Sequence, residues 1–206
     1  DATCPKVARV QSIIRAYTKK GYTAVIVGDR EHAEVVGLMG YSENQAYVIQ
    51  GAEDVPSLPP LDRICVVAQT TQNGRTFEDA VRALEARFSE VAVFNTICDA
   101  TYRRQEEVRA LSEGVDAMVV VGGYHSGNTK RLVQISREAG IPILHVETEK
   151  DLDKSALSDK GVVGVTAGAS TPHWLIRTVV GEIERIRGTG ERAWIRWVKS
   201  ALYFMV

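Results

Sequence analysis

The sequence contains one short apolar run twice, at a spacing that strongly limits the fold. VIVG occupies residues 25–28 and VVVG residues 119–122, 94 residues later, and each closing glycine lies 24 residues after a cysteine, Cys4 or Cys98. An unbroken apolar run that ends in glycine is typical of a strand buried on both faces of a parallel sheet. The repeat therefore favours two similar α/β units over one continuous sheet.

Helical and strand patterns alternate along the chain, as parallel α/β construction requires. Within this pattern VVAQT at residues 66–70 resembles VVGVT at residues 162–166. We predict an α/β fold with two pseudo-repeated, four-stranded parallel units, at residues 5–94 and 95–188. The tail, residues 189–206, is aromatic and basic, and we expect either a membrane-facing segment or a packing helix there.

Charge and cysteine content narrow the class of protein. The 206 residues carry a formal net charge of −1, which gives no basic footprint for nucleic acid. Three cysteines without a regular framework, and no long apolar run, indicate a reducing compartment, and we predict a cytoplasmic protein. Because the chain starts with Asp1 and stops at Val206 without a polar tail, we expect a piece of a longer protein.

Polar loops follow the repeated strands. In the register of the repeat His32 matches Ser126 and Glu34 matches Asn128, so both loops lie where parallel α/β sheets bind ligands. We expect these loops to form two half-sites that face each other. Small polar residues at residues 122–129 and 164–172 also suit a diphosphate-sized anion at a helix start. Asn128 or Thr129 could also simply cap the helix, which is compatible with an anion site.

The cysteines fall into two classes. Cys4 and Cys98 each precede a helix, where the helix dipole stabilises a thiolate. A packing role suits either one taken singly, whereas their matched positions favour ligands of a shared group. Cys65 lies inside an apolar run and is expected in the core. No CxxC pair is present, so zinc is weakly supported.

Six motifs in this order resemble the family of 4-hydroxy-3-methylbut-2-enyl diphosphate reductases: DATCPKV, EHAEVVG, AQTTQ, NTICDATYRRQ, VVVGGYHSGNTKRL and GVTAGASTP. The resemblance implies a trefoil-like arrangement of three α/β units around one 4Fe-4S cluster, of which this chain would hold the second and third. The first unit, with the third cysteine ligand, would then precede Asp1.

The resemblance also implies roles for individual residues. Cluster ligands would be Cys4 and Cys98; the catalytic residues would be Glu34, a proton relay, and Thr70, near the substrate hydroxyl; and the diphosphate ligands would be His32, Ser126, Asn128 and Ser170. Gly127 departs from members that carry a second serine there. The implied partners are an allylic diphosphate substrate and reduced ferredoxin or flavodoxin as the electron donor.

Two alternatives remain open at this point. A quinolinate-synthase-like enzyme would also place three α/β units around one cluster, with the loops at Ser126 and Ser170 contacting carboxylates. A non-catalytic module that binds a phosphorylated ligand would need neither iron nor the thiols of Cys4 and Cys98.

Overall fold

The computed structural model describes residues 4–43, 45–186 and, for the backbone, 194–197. The helices and strands are, in chain order, α1 (Pro5–Thr18), β1 (Thr23–Val27), α2 (Ala33–Met39), β2 (Ala46–Ile49), β3 (Arg63–Ala68), α3 (Gly74–Arg87), β4 (Glu90–Phe94), α4 (Asp99–Ser112), β5 (Ala117–Val121), α5 (Gly127–Glu138), β6 (Ile143–Val146), β7 (Val162–Ala167), α6 (His173–Ile186) and β8 (Trp194–Trp197). Short 3-10 helices lie at Ala52–Ser57, Glu149–Asp151 and Ser155–Leu157.

The chain divides into two compact units, an N-terminal unit of Asp1–Tyr102 and a C-terminal unit of Arg103–Val206. Each contains one sheet of four parallel strands, in the order β2-β1-β3-β4 and β6-β5-β7-β8 respectively. The predicted fold class, with two parallel α/β units of the same plan, is confirmed. The predicted boundary between residues 94 and 95 stays a prediction.

In the N-terminal unit, both faces of the central strands are covered. Side chains alternate along a strand, so one face of β1 and β3 packs on α3 and the other on α1 and α2. The first layer includes Val25, Val66, Phe77 and Leu84, and the second includes Ile26, Val67, Ile14 and Leu38. This two-sided burial explains why these strands read as continuous apolar runs.

The C-terminal unit repeats the arrangement with its own residues. All five residues of β5 are buried. One face packs with β7 and α6 and the other with α4 and α5. The carboxyl ends of β5 and β7 therefore lie side by side, and the polar loops that follow them begin at neighbouring positions.

The sheet register corrects one sequence alignment. Ala68 pairs with Val27, and Ala167 pairs with Val121, the residue equivalent to Val27. Ala68 and Ala167 are therefore equivalent, so the matching of VVAQT with VVGVT at residues 162–166 is wrong. The residue equivalent to Thr70 is Ala169, because the connections in the C-terminal unit are longer.

The tail contributes a strand to the second sheet. Trp194–Trp197 is β8 and pairs in parallel with β7, so a helix at these four residues is a wrong expectation. The other positions of the tail, 189–193 and 198–206, lie outside the described residues, and the expectation of a membrane-facing or packing segment falls there. Within the described residues, no helix has the length and apolar character needed to cross a bilayer.

Candidate functional site

Glu34 and Thr70 form a two-point contact at the carboxyl ends of β1 and β3. The Thr70 backbone N–H donates to Glu34 Oε1 at 2.7 Å, and the Thr70 hydroxyl donates to Glu34 Oε2 at 2.8 Å. Glu34 lies in the first turn of α2, and Thr70 is buried. The two residues to which the resemblance assigns catalytic roles are therefore in direct contact. Both carboxylate oxygens are fixed, so the orientation of the acid is defined.

His32 caps the same helix and has a defined protonation pattern. Its Nδ1 accepts from the Glu34 backbone N–H at 3.2 Å. A ring nitrogen that accepts carries no proton, so the neutral ring of His32 has its proton on Nε2. The half-buried Nε2–H is therefore available as a donor to an anionic ligand.

Gln69 ties together the two loops that carry these residues, and sequence reasoning missed it. Its side chain is fully buried; Oε1 accepts from the Asp29 backbone N–H at 2.8 Å, and Nε2 donates to Thr71 Oγ1 at 3.0 Å. A Cβ at Gly28 would lie 2.9 Å from the Gln69 Cβ. Two sequence features could have identified Gln69: the glycine that closes VIVG and the later polar run QTTQ.

Both candidate ligand cysteines lie at helix starts. The carbonyl of Cys4 accepts from the N–H of Ala8 at 3.0 Å, and that of Cys98 accepts from the N–H of Tyr102 at 2.9 Å, as N-cap residues do. The Cys4 residue is exposed and Cys98 is half-buried, so neither thiol has the enclosed setting of a core cysteine.

Two contacts bring these helix starts to the Glu34–Thr70 pair. Lys6 Nζ lies 3.1 Å from Asp99 Oδ2, which links the first turns of α1 and α4. The Cys98 backbone N–H donates to the Thr70 carbonyl at 2.9 Å. The N-terminal unit thus gathers the start of α4, Thr70 and Glu34 at one edge of its sheet.

The thiols have the donor chemistry of an iron–sulfur cluster, and their number is incomplete. Cys65 is fully buried in β3, and burial raises the pKa of its thiol to about 12, so it fits a core residue and not a ligand. No group of three or more potential metal ligands occurs among the described residues. Cys4 and Cys98 therefore fit two of the three thiolates that the resemblance implies, and no further cysteine among the described residues fits the third.

The C-terminal unit holds buried polar atoms without partners at the start of α5. Both polar atoms of the Asn128 amide and the hydroxyl of Thr129 have no hydrogen-bond partner, although all are buried. The helix cap is Ser126, whose Oγ accepts from the Thr129 N–H at 3.3 Å, so a cap at Asn128 or Thr129 is a wrong expectation. Unpartnered buried polar groups are costly and call for an explanation.

Two glycines lie close against the Thr129 hydroxyl. Gly122 has φ +149°, and a Cβ there would lie 2.8 Å from the hydroxyl oxygens of Thr129 and Thr171. A Cβ at Gly168 would overlap the Thr129 hydroxyl. A larger residue at either position would displace Thr129, so both glycines are required where the loops pack against the start of α5, here called the Asn128–Thr129 cradle.

A comparison of equivalent positions shows how the units differ. Gln69 fills its position and accepts from the N–H that follows Gly28, whereas its equivalent, Gly168, has no side chain to do so. Glu34 has both oxygens bound by Thr70, whereas its equivalent, Asn128, is unpartnered. The polar groups of the N-terminal site bond to one another, and the C-terminal site holds an amide and a hydroxyl without a partner.

Ser170 is exposed in the turn between β7 and α6. Its contact with a ligand stays a prediction, as do the roles of the other site residues and the facing of the two half-sites.

Comparison with known proteins identifies the relatives of this arrangement. Residues 1–184 match the family model described as LytB protein. A 4-hydroxy-3-methylbut-2-enyl diphosphate reductase of Alkaliphilus oremlandii is 43% identical over 187 residues, covering 90% of this chain and 67% of the relative. The Geobacter sulfurreducens protein of the same name is 45% identical over 184 residues, covering 89% and 65%. The chain thus spans about two-thirds of the length of these relatives.

Two solved structures are also similar to this chain. The E-1-hydroxy-2-methyl-but-2-enyl-4-diphosphate reductase from Plasmodium falciparum has a TM-score of 0.88 at 24% identity, covering 100% of this chain and 69% of that one, which supports the fold. A second structure, titled as (E)-4-hydroxy-3-methyl-but-2-enyl diphosphate reductase, the terminal enzyme of the non-mevalonate pathway, has a TM-score of 0.53 at 41% identity, covering 89% of this chain and 66% of that one. These matches favour the reductase family over the quinolinate-synthase-like alternative.

Proposed function

Because this chain belongs to the LytB protein family, we propose that it forms two of the three α/β units of a 4-hydroxy-3-methylbut-2-enyl diphosphate reductase. The reaction replaces the allylic hydroxyl of the substrate by hydrogen. Two electrons and two protons are consumed, water leaves, and the products are isopentenyl and dimethylallyl diphosphate.

The contact between Glu34 and Thr70 is the observation that carries this proposal. A carboxyl group held at both oxygens, 2.7 Å and 2.8 Å from its donors, has a fixed direction for proton transfer. Glu34 delivers protons at the reacting end of the substrate, and Thr70 orients both Glu34 and the substrate hydroxyl. Cys4 and Cys98 would hold the iron–sulfur cluster, which when bound would supply electrons and Lewis-acid chemistry.

The diphosphate end is bound by neutral donors. The Asn128 amide and the first turn of α5, which contains Thr129, offer hydrogen bonds, and the start of a helix favours anions. His32 adds its Nε2–H, and Ser126 and Ser170 add hydroxyls. Binding of the diphosphate at several points restricts the motion of the substrate, which lowers the entropic part of the barrier.

The electron donor in this proposal is reduced ferredoxin or flavodoxin, which deliver single electrons to buried clusters. The free thiols of Cys4, Cys65 and Cys98 suit a reducing compartment, and we place the reaction in the cytoplasm.

The substitution Glu34→Gln in the full-length protein tests the role of the acid. The amide oxygen still accepts from the Thr70 N–H, and the Thr70 hydroxyl can rotate to accept from the amide nitrogen, so the contact persists without a transferable proton. We expect an unchanged cluster spectrum and substrate affinity, with single turnover slowed by about a hundred- to ten-thousand-fold.

Glu43→Gln provides the matched control, because Glu43 is exposed and is expected to leave turnover unchanged. Unimpaired turnover in Glu34→Gln removes Glu34 from the mechanism. Loss of the cluster in that variant assigns Glu34 a structural role instead.

A further inference from the structure

The end of β6 holds the loop that follows β5 in the C-terminal unit. The ring Nε2 of His145 lies 2.9 Å from the Gly122 carbonyl, and since a carbonyl only accepts, the ring nitrogen donates. Glu147 Oε1 accepts from the Tyr124 backbone N–H at 2.7 Å. Peptide groups on both sides of Gly123 are therefore fixed by side chains from the neighbouring strand.

The hydrogen bonds from His145 and Glu147, here called the clamp, hold the loop at Gly122. Its φ of +149° is a conformation that other residues rarely adopt. Its N–H donates to the Val146 carbonyl at 2.9 Å, so both its polar groups bond to the end of β6. Because Gly122 lies against the hydroxyls of Thr129 and Thr171, the end of β6 sets how closely the loop approaches the cradle.

The clamp is itself anchored. The Asp151 carboxylate accepts from the backbone N–H of Glu147 at 3.0 Å and from that of Thr148 at 2.8 Å. The ring of Tyr124 packs edge-on against His145, with centroids 4.6 Å apart. Glu147 thus has both its backbone and its carboxylate in defined positions.

The N-terminal unit holds its corresponding loop from the opposite side. There, Gln69, which follows β3, binds the N–H of Asp29 and fills the space beside Gly28. In the C-terminal unit the equivalent position is Gly168, which has no side chain. The side-chain hydrogen bonds to the peptide groups of the 122–124 loop therefore come from the end of β6.

We propose that His145 and Glu147 are positioning residues for anion binding, which hold the 122–124 loop from β6 so that the Asn128–Thr129 cradle is arranged to bind a diphosphate. The inference rests on the proposed function, because it deepens the assignment of the same diphosphate site. Neither residue need touch the ligand, since each acts through the peptide groups of the loop.

The test measures binding of inorganic pyrophosphate to the full-length protein by calorimetry. We expect Glu147→Ala to weaken binding by about tenfold, the effect of losing one charge-assisted hydrogen bond that orders the loop. Glu147→Gln should restore most of the affinity, because a carboxamide oxygen can accept from the Tyr124 N–H. His145→Leu should weaken binding similarly, and His145→Gln, which retains a donor, should restore it in part.

Glu138→Ala is the matched control, since Glu138 is an exposed glutamate at the last residue of α5. With substrate, the alanine and leucine variants should raise KM and leave kcat unchanged, while melting temperature and cluster spectrum stay at parent values. A general loss of structure would lower the melting temperature and kcat together, and that result overturns the inference.

The outcomes separate the two proposals. If the parent protein does not bind pyrophosphate, the diphosphate site of the proposed function fails, and the inference fails with it. If the parent binds while Glu147→Ala and His145→Leu retain its affinity, only the inference is overturned. An alanine defect that Glu147→Gln does not restore also overturns it, because the hydrogen bond would not be the cause.

Discussion

Single residues at equivalent positions of the two units decide which polar atoms have a hydrogen-bond partner. A carboxylate at Glu34 attracts the two donors of Thr70, whereas the amide of Asn128, at the equivalent place, is buried without a partner. Similarly, Gln69 accepts from the N–H of Asp29, whereas Gly168, at the equivalent place, has no side chain. One repeated backbone plan therefore carries a hydrogen-bonded carboxylate in one unit and an unpartnered amide in the other.

Burial also separates the three thiols, and this predicts their reactivity. Because desolvation raises the pKa of Cys65 to about 12, its thiolate is negligible at about pH 8. We expect N-ethylmaleimide to modify Cys4 and Cys98 in the folded, cluster-free full-length protein, while Cys65 reacts only after unfolding. Mass spectrometry of the three cysteine peptides over time measures this. Labelling of Cys65 as fast as that of Cys98 would contradict the burial described here.

At the scale of helices and strands, the sequence predicted those elements whose patterns are local. The runs at residues 24–28 and 117–122 are buried on both faces, so their apolar character alone indicated central strands. Glu34 and Thr70 were brought together by the family resemblance, which implied catalytic roles for both. The strand predictions succeeded because they do not depend on the exact length of a connection.

Other elements could not be predicted, because they depend on distant pairing. The equivalence of Ala68 and Ala167 is set by the register with β1 and β5, which insertions hide from a sequence comparison. The aromatic and basic segment Trp194–Trp197 becomes a strand by pairing with β7. The bond from Gln69 to Asp29 spans two loops far apart in sequence, so no local pattern marks it.

The start of α3 offers a prediction about one element. Asn73 is its N-cap, and its buried Oδ1 accepts from the N–H groups of Arg75 at 2.9 Å and Thr76 at 3.5 Å. Asn73→Ala should destabilise the full-length protein by about 1–2 kcal/mol, and Asn73→Asp should not. Chemical denaturation measures the difference, and amide exchange at Arg75 should accelerate in the alanine variant. Equal stability of the two variants would show that the Asn73 cap does not stabilise the protein.

At the scale of the whole molecule, the number of suitable thiols limits what this chain does by itself. Two cysteines lie at helix starts and the third is in the core of β3. The reductase relatives are longer, with this chain spanning 67% of one and 65% of another. A cluster held by three thiolates therefore needs a further segment, which our proposal places before residue 1.

Iron content tests this division and also the alternative of a non-catalytic binding module. In the full-length protein we expect Cys4→Ala and Cys98→Ala to lose most of about four irons per chain, together with the visible absorption of the cluster. Cys65→Ala is the matched control and should retain both, because its side chain only packs in the core.

Residues 1–206 expressed by themselves should hold less than one full cluster, and co-expression with the preceding segment should restore it. A complete cluster on residues 1–206 would refute the three-unit assignment. If the parent protein contained no iron, and if the parent and both cysteine variants bound diphosphate fully, the binding module would be favoured. The measurement thus separates an enzyme whose ligands are divided between segments from a protein that only binds the substrate.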